Sequence, residues 1–228
     1  MSNLTRILSA NTPLTLSSVA RGAQPLVLAD LARAAKGRAV FIAPDEAAMR
    51  AIVESAAFFA PDLEVIDFPA WDCLPFDRAS PALSVSARRL AALQRLQRKR
   101  SGPQLLVTTI NAALQRVLTP FRIRQTGERL TAGREISRER LASLLQSNGY
   151  FRVDTVADAG EFAIRGSIVD LFPAGSEVGL RLDFFGDEIE SIRRFNPSDQ
   201  RSIDQVDHFD ILPAVEALMD EEAIKRFR

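Results

Sequence analysis

The clearest periodic signal in the chain is the run from Leu180 to Phe185, where Leu180, Leu182 and Phe184 alternate with Arg181, Asp183 and Phe185. A period of two puts the first set on one face of a strand and the second set on the other. The first set is core, so an arginine and a phenylalanine share the outer face, the composition of a protein-binding hot spot. Upstream, Phe162 to Phe172 is a second β-type run, in which Phe162, Ile164 and Ile168 share a parity and Arg165 points the opposite way. The connecting PAGSEVG supplies turn residues, so the two runs read as a hairpin or as neighbouring strands. As neighbours in one sheet, they bring Arg165 to the outer face with Arg181 and Phe185. A competing reading folds Phe185 into a second core layer and pairs the two arginines with nearby acids.

Earlier in the chain the pattern alternates between helical spacing and short apolar runs. Residues 1–23 are polar and Ser/Thr-rich, a loosely ordered lead-in with one strand around Leu14 to Leu16. Pro25 opens a helix that Gly37 closes, RAVFIA (38–43) reads as a strand, and Pro44-Asp45 opens a second helix to about Phe59. LEVIDF (63–68) and QLLVTT (104–109) are further strands, with helices over 84–100 and 111–117. Each strand is apolar on both faces, and strands alternating with helices predict a parallel α/β sheet.

Pro120 closes this layer and the pattern changes. Residues 121–130 read as strand, Ser137 starts a helix that Asn148-Gly149 ends, and short strands follow, the last two over 188–195 and 206–212. One helix with several non-parallel strands predicts an α+β unit. The expected organisation is an α/β domain over 1–121 and a smaller α+β domain over 122–212. Residues 213–228 would then begin a further lobe, with a helix from Ala214 that has almost nothing left to pack against, as if the chain were the front of something longer.

Composition narrows the chemistry. Lys+Arg and Asp+Glu both number 29, so no global field draws the chain to nucleic acid or membrane. One cysteine, Cys73, and one histidine, His208, supply neither a disulfide framework nor the usual zinc ligand sets. None of the three lysines (Lys36, Lys99, Lys225) follows a glycine, so the Gly-Lys-Ser/Thr of a phosphate-cradling loop is absent. No apolar stretch reaches bilayer length, and a soluble, cytoplasmic protein is expected. The window 161–190 sets seven carboxylates against Arg165 and Arg181, a poor phosphate binder that suits a protein partner better.

Two other stretches carry alternatives. FPAWDCLPFDRASPALS, at the carboxyl end of a strand, is either a ligand loop or an ordered connection that packs Trp71 and Phe76 onto the sheet. The helix over 84–100 holds Arg88, Arg89, Arg95, Arg98, Lys99 and Arg100. It is either a DNA-contacting element or a solvated face whose terminal cations suit the helix dipole.

The segments FPAWDCLPFDRASPALSVSARRLAAL and GYFRVDTVADAGEFAIRGSIVDLFPAGSEVGLRLDFFGDEIESIRRF, with the closing ILPA, resemble the N-terminal region of the bacterial transcription-repair coupling factors, the Mfd family. That region is itself similar to the nucleotide-excision-repair protein UvrB. The resemblance implies a degenerate motor-lobe-like parallel-sheet domain followed by a smaller α+β domain that recruits UvrA to stalled RNA polymerase. It matches Arg165 in AIRG, and Arg181 and Phe185 in LRLDFF, to the family's interface arginines and aromatic. Two departures matter: RGAQPLVLADLARA stands where UvrB has its P-loop, and FPAWDCLPFDRASP is too short for UvrB's DNA-clamping hairpin. The resemblance therefore implies no ATP hydrolysis and no cofactor in this chain, with ATP, DNA and RNA polymerase engaged by regions downstream.

Overall fold

Asp45 shows how local capping fixes the first layer. Its carboxylate accepts the Ala48 backbone N–H at 2.7 Å, and a helix begins there because the cap satisfies a donor that has no partner within the helix. The computed structural model describes residues 3–35, 37–74, 77–217 and 225. In chain order the elements are α1 (Asn3–Leu8), α2 (Gln24–Ala34), β1 (Arg38–Ala43), α3 (Glu46–Phe59), β2 (Glu64–Phe68), α4 (Leu83–Gln97), β3 (Gln104–Thr109), α5 (Ile110–Leu114) and α6 (Pro120–Thr126). They continue with β4 (Glu128–Thr131), α7 (Arg138–Ser147), β5 (Phe151–Arg152), β6 (Glu161–Arg165), β7 (Ile168–Leu171), β8 (Gly179–Phe185), β9 (Glu188–Phe195), β10 (Ser202–Val206) and β11 (His208–Ile211). Two compact units result, 1–71 with 95–116 and 72–94 with 117–228. The composition change near residue 121 falls inside the second unit, which also takes in the long connection and most of α4.

In the first unit the sheet runs β1-β3-β2, all parallel. Helices α2 and α3 bury one face, with Ala29, Ala32, Met49 and Ile52 packed against Leu105 and Val107. The opposite face of β1 is open, with Val40 and Ile42 56% and 51% exposed, so RAVFIA is covered on one side and not on both as expected. No strand forms near Leu14; Pro13 lacks a donor, and Leu14 and Leu16 stay exposed. Helix α2 ends with Ala35 as its cap, short of Gly37.

In the second unit a six-stranded sheet runs β10-β9-β8-β7-β6-β5, antiparallel except between β5 and β6, and β11 pairs with β4 in a separate ribbon. Leu141 and Leu145 of α7 pack with Phe162, Val169, Leu171, Leu180, Leu182, Phe184, Ile189 and Ile192 from one face of the large sheet. Tyr150 ties the layer down: its hydroxyl donates to the Leu212 carbonyl at 2.7 Å, and burial raises its pKa.

Several expectations are corrected here. Residues 120–126 form a helix, because Thr119 caps it and Pro120 sits in its first turn, where a missing N–H costs nothing. The run 162–172 is two strands, broken by Gly166 at φ +60° and Ser167, so the neighbour of β8 is β7 and not β6. The run 206–212 is likewise split between β10 and β11. Of the helix expected from Ala214, residues 214–217 are not helical and 218–224 and 226–228 lie outside the described residues. Phe76 also lies outside them, while Trp71 is half-buried and its backbone N–H donates to Gln115 Oε1 at 3.0 Å.

Candidate functional site

The second sheet has two unlike faces. On β8, Leu180, Leu182 and Phe184 enter the core while Arg181, Asp183 and Phe185 take the other side. On β7 the core residues are Val169 and Leu171, which leaves Ile168 and Asp170 outward; on β6 they are Phe162 and Ile164, which leaves Ala163 and Arg165 outward. The tight turn at Gly166-Ser167 pairs Arg165 with Ile168 and so moves Ile168 to the arginine's side, against the parity read from one continuous strand. Register then defines two rows across the outer face. Ala163, Asp170, Arg181 and Arg193 form one, and Arg165, Ile168, Asp183 and Ser191 form the other.

Asp170 is the centre of the first row. Its side chain is 1% exposed and takes a forked pair of hydrogen bonds from Arg181, Nε to Oδ1 at 2.7 Å and Nη2 to Oδ2 at 3.0 Å. Arg165 donates through Nη2 to the same Oδ2. A buried carboxylate is costly without such partners, and two guanidiniums supply them. The Arg181 guanidinium also lies 4.9 Å from the centre of the Phe195 ring and donates to Gln200 Oε1 at 3.4 Å. Gln200, at φ +61°, is itself anchored through Nε2 to the carbonyls of Pro197 and Val156. The bond to Asp170 raises the pKa of Arg181, and the surrounding groups leave its side chain only 17% exposed.

Phe195 packs under Arg181 because Gly179 stands opposite it: a Cβ there would meet the ring at 2.4 Å. With Val156, Ala163, Val153 and Phe172 it forms the second apolar layer that the competing reading assigned to Phe185. Phe185 instead is 79% exposed at the end of β8. Its hairpin is braced by the segment before α7. Ile136 N–H donates to the Asp187 carbonyl at 2.7 Å, Gly133 N–H to Ile189 O at 2.8 Å, and Ile189 N–H to Arg134 O at 3.0 Å. The exposed ring thus stands on a fixed support.

Arg165, Arg181 and Phe185 therefore share one face, with different accessibility: Arg165 is half-exposed and Arg181 mostly covered. Sequence reasoning missed Arg193, whose side chain is 40% exposed and donates through Nη2 to Asp183 Oδ2 at 2.6 Å. Strict alternation along β9 from Ile189 would turn Arg193 into the core, but the register shifts by one at Glu190, a bulge that turns it outward. Asp170 was visible only as one of seven acids. Its distinguishing signal is its place in IVDL, a lone charge in an otherwise apolar strand.

The basic helix is not a free cationic stripe. Arg89 is fully buried and bonds Glu216, Nε to Oε1 at 2.6 Å, and Arg95 pairs with Glu64. Among the described residues no group of three or more His, Cys, Asp or Glu could hold a metal ion, and no helix is long and apolar enough to cross a membrane.

Residues 129–216 match the UvrB interaction domain family, a span that contains every residue of the two rows. The chain is 37% identical over 203 residues to the transcription-repair-coupling factor of Escherichia coli (strain K12), covering 89% of this chain and 17% of that protein. It is 35% identical over 214 residues to the same factor from Haemophilus influenzae, covering 93% and 18%. Against the factor from Myxococcus xanthus the identity is 36% over 219 residues, covering 92% and 18%. The chain spans less than a fifth of the length of these curated relatives.

Proposed function

Given that this chain belongs with the N-terminal region of the transcription-repair-coupling factors, we propose that its second unit docks UvrA and so brings the excision-repair machinery to stalled RNA polymerase. The observation that carries this reading is Phe185, 79% exposed on a braced hairpin beside arginines fixed on the same face. An exposed aromatic on a rigid support fits an apolar pocket at little ordering cost, and Arg165 offers charge-assisted hydrogen bonds to carboxylates at its rim. Three guanidiniums against two carboxylates across the rows favour an acidic, partly apolar partner surface.

In this reading the chain is an adaptor without enzymatic activity of its own, working in the cytoplasm. The first unit is a degenerate motor lobe that has kept the parallel sheet and lost the phosphate loop. ATP use, DNA translocation and the polymerase contact fall to other parts of the longer protein. A calorimetric titration of the chain with UvrA tests the proposal. Binding that Phe185→Ala or Arg165→Ala weakens severalfold or more, with folding intact, supports it; a folded parent that fails to bind, or substitutions that leave binding untouched, overturns it.

A further inference from the structure

We infer that Asp170 is the positioning residue of this face: it holds Arg165 and Arg181 in place, so that Arg165 meets the partner while Arg181 serves as a strut. The division follows from how each guanidinium is used. Arg181 commits Nε and Nη2 to Asp170, rests on the Phe195 ring and touches Gln200. Its covered position leaves little of it to offer. Arg165 commits a single nitrogen, Nη2, to Asp170, and its side chain remains half-exposed, with Nε and Nη1 left for a partner. Asp170 itself is too buried to be touched from outside.

Immobilising a long side chain is a recognised cost of association, and a side chain already held in its bound geometry avoids it. Arg165 sits at the end of β6 next to the Gly166 turn, and Asp170 is the side chain that hydrogen-bonds its guanidinium there. Without the carboxylate its guanidinium would lose that anchor. The strut has a second use: Arg181 supplies the second guanidinium that makes a buried carboxylate at position 170 tolerable, and so keeps the anchor for Arg165 in place. An Arg181→Ala effect on binding would then be transmitted through Asp170 and Arg165. It would not report a lost contact.

This inference takes from the UvrA reading only the identity of what the face meets; the positioning can be measured in the free chain. Restricted rotation of the Arg165 guanidinium, read by side-chain NMR of the parent against the exposed Arg201, is the first expected result. Rotation as free as that of Arg201 overturns the inference without any variant or partner. The second measurement is titration with UvrA of Asp170→Asn, confirmed folded by its amide spectrum. Affinity should fall about tenfold, the order expected when fixed rotamers are released. In the Arg165→Ala/Arg181→Ala background the same substitution should change nothing, since a positioning residue has no effect once its clients are gone. Equal or tighter binding by Asp170→Asn, as expected if the carboxylate merely repels an acidic partner, overturns the inference, as does an undiminished loss in the double-alanine background. If the folded parent does not bind UvrA, the functional proposal falls, while the guanidinium rotation still decides whether Asp170 positions Arg165.

Discussion

The two sheets solve the same problem in opposite ways. In the first, the uncovered side of β1 keeps apolar residues, Val40 and Ile42, in the open. In the second, the outer face carries a charge-paired lattice with Phe185 exposed beside it and Phe151 exposed on the edge strand β5. Exposed aliphatic area is common on folded surfaces and says little by itself. An aromatic lifted on a braced hairpin beside arginines held by ion pairs is a more particular arrangement. What marks the proposed binding face is the arrangement of its polar partners and not the amount of apolar surface it shows.

Substitutions can break or sharpen this contrast. The largest expected effect is on the inner side of the second sheet: Phe162→Ala should cost about 3–5 kcal/mol by leaving a cavity in the core, read by denaturant unfolding. Gly179→Ala should cost about 3 kcal/mol, the upper range for overpacking, because its Cβ collides with the Phe195 ring; it should also loosen Arg181 above that ring, visible in its guanidinium resonance. Phe185→Ala should leave the melting curve unchanged and weaken UvrA binding by about 2 kcal/mol, roughly thirtyfold, which titration reads directly. Equal loss of stability and of binding would erase the distinction between the two faces.

Smaller effects belong to the first unit. Gln104 above all, and then Arg95, hold the Glu64 carboxyl below its ordinary value of 4.5. Its contribution to stability is therefore complete above that value and is lost as pH falls through the lower folded value. Glu64→Gln should flatten that acid limb, checked by thermal melts of both proteins on either side of pH 4.5. Least of all, Val40→Thr with Ile42→Thr should change stability by no more than about 0.5 kcal/mol, as typical exposed positions do, and should leave UvrA binding as it was. Loss of binding there would move the interface to the other unit.

Much of this was legible in the sequence where one local rule dominated. Asp45 and Ser137 announced their helices because capping is a short-range bond, and the alternation of β8 survived folding because both its neighbours pair with it. Misreadings arose where two rules competed. FRIR after Pro120 alternates like a strand, yet the Thr119 cap and the proline at the helix start prevailed. Gly166 cut a run that hydrophobicity alone joined, and the bulge at Glu190 reversed the facing of Arg193. Asp170 stood out only as a lone charge in IVDL, and its role was hidden because its partners are 5 and 11 residues away on two other strands. Only the register brings them together.

The pairing of charges across the two rows also sets how far the face can be felt. Each guanidinium there has a carboxylate beside it, and the chain as a whole carries no net charge. Opposed charges a few ångströms apart cancel at a distance, and salt screens what is left beyond about 8 Å. A partner approaching through solution would meet only the one unbalanced guanidinium of the rows, so steering of the encounter and its dependence on ionic strength should be weak. Polyanions such as nucleic acid gain nothing from this surface at long range. In the proposed docking, discrimination would happen at touching distance, by the fit of a ring and the angle of a guanidinium.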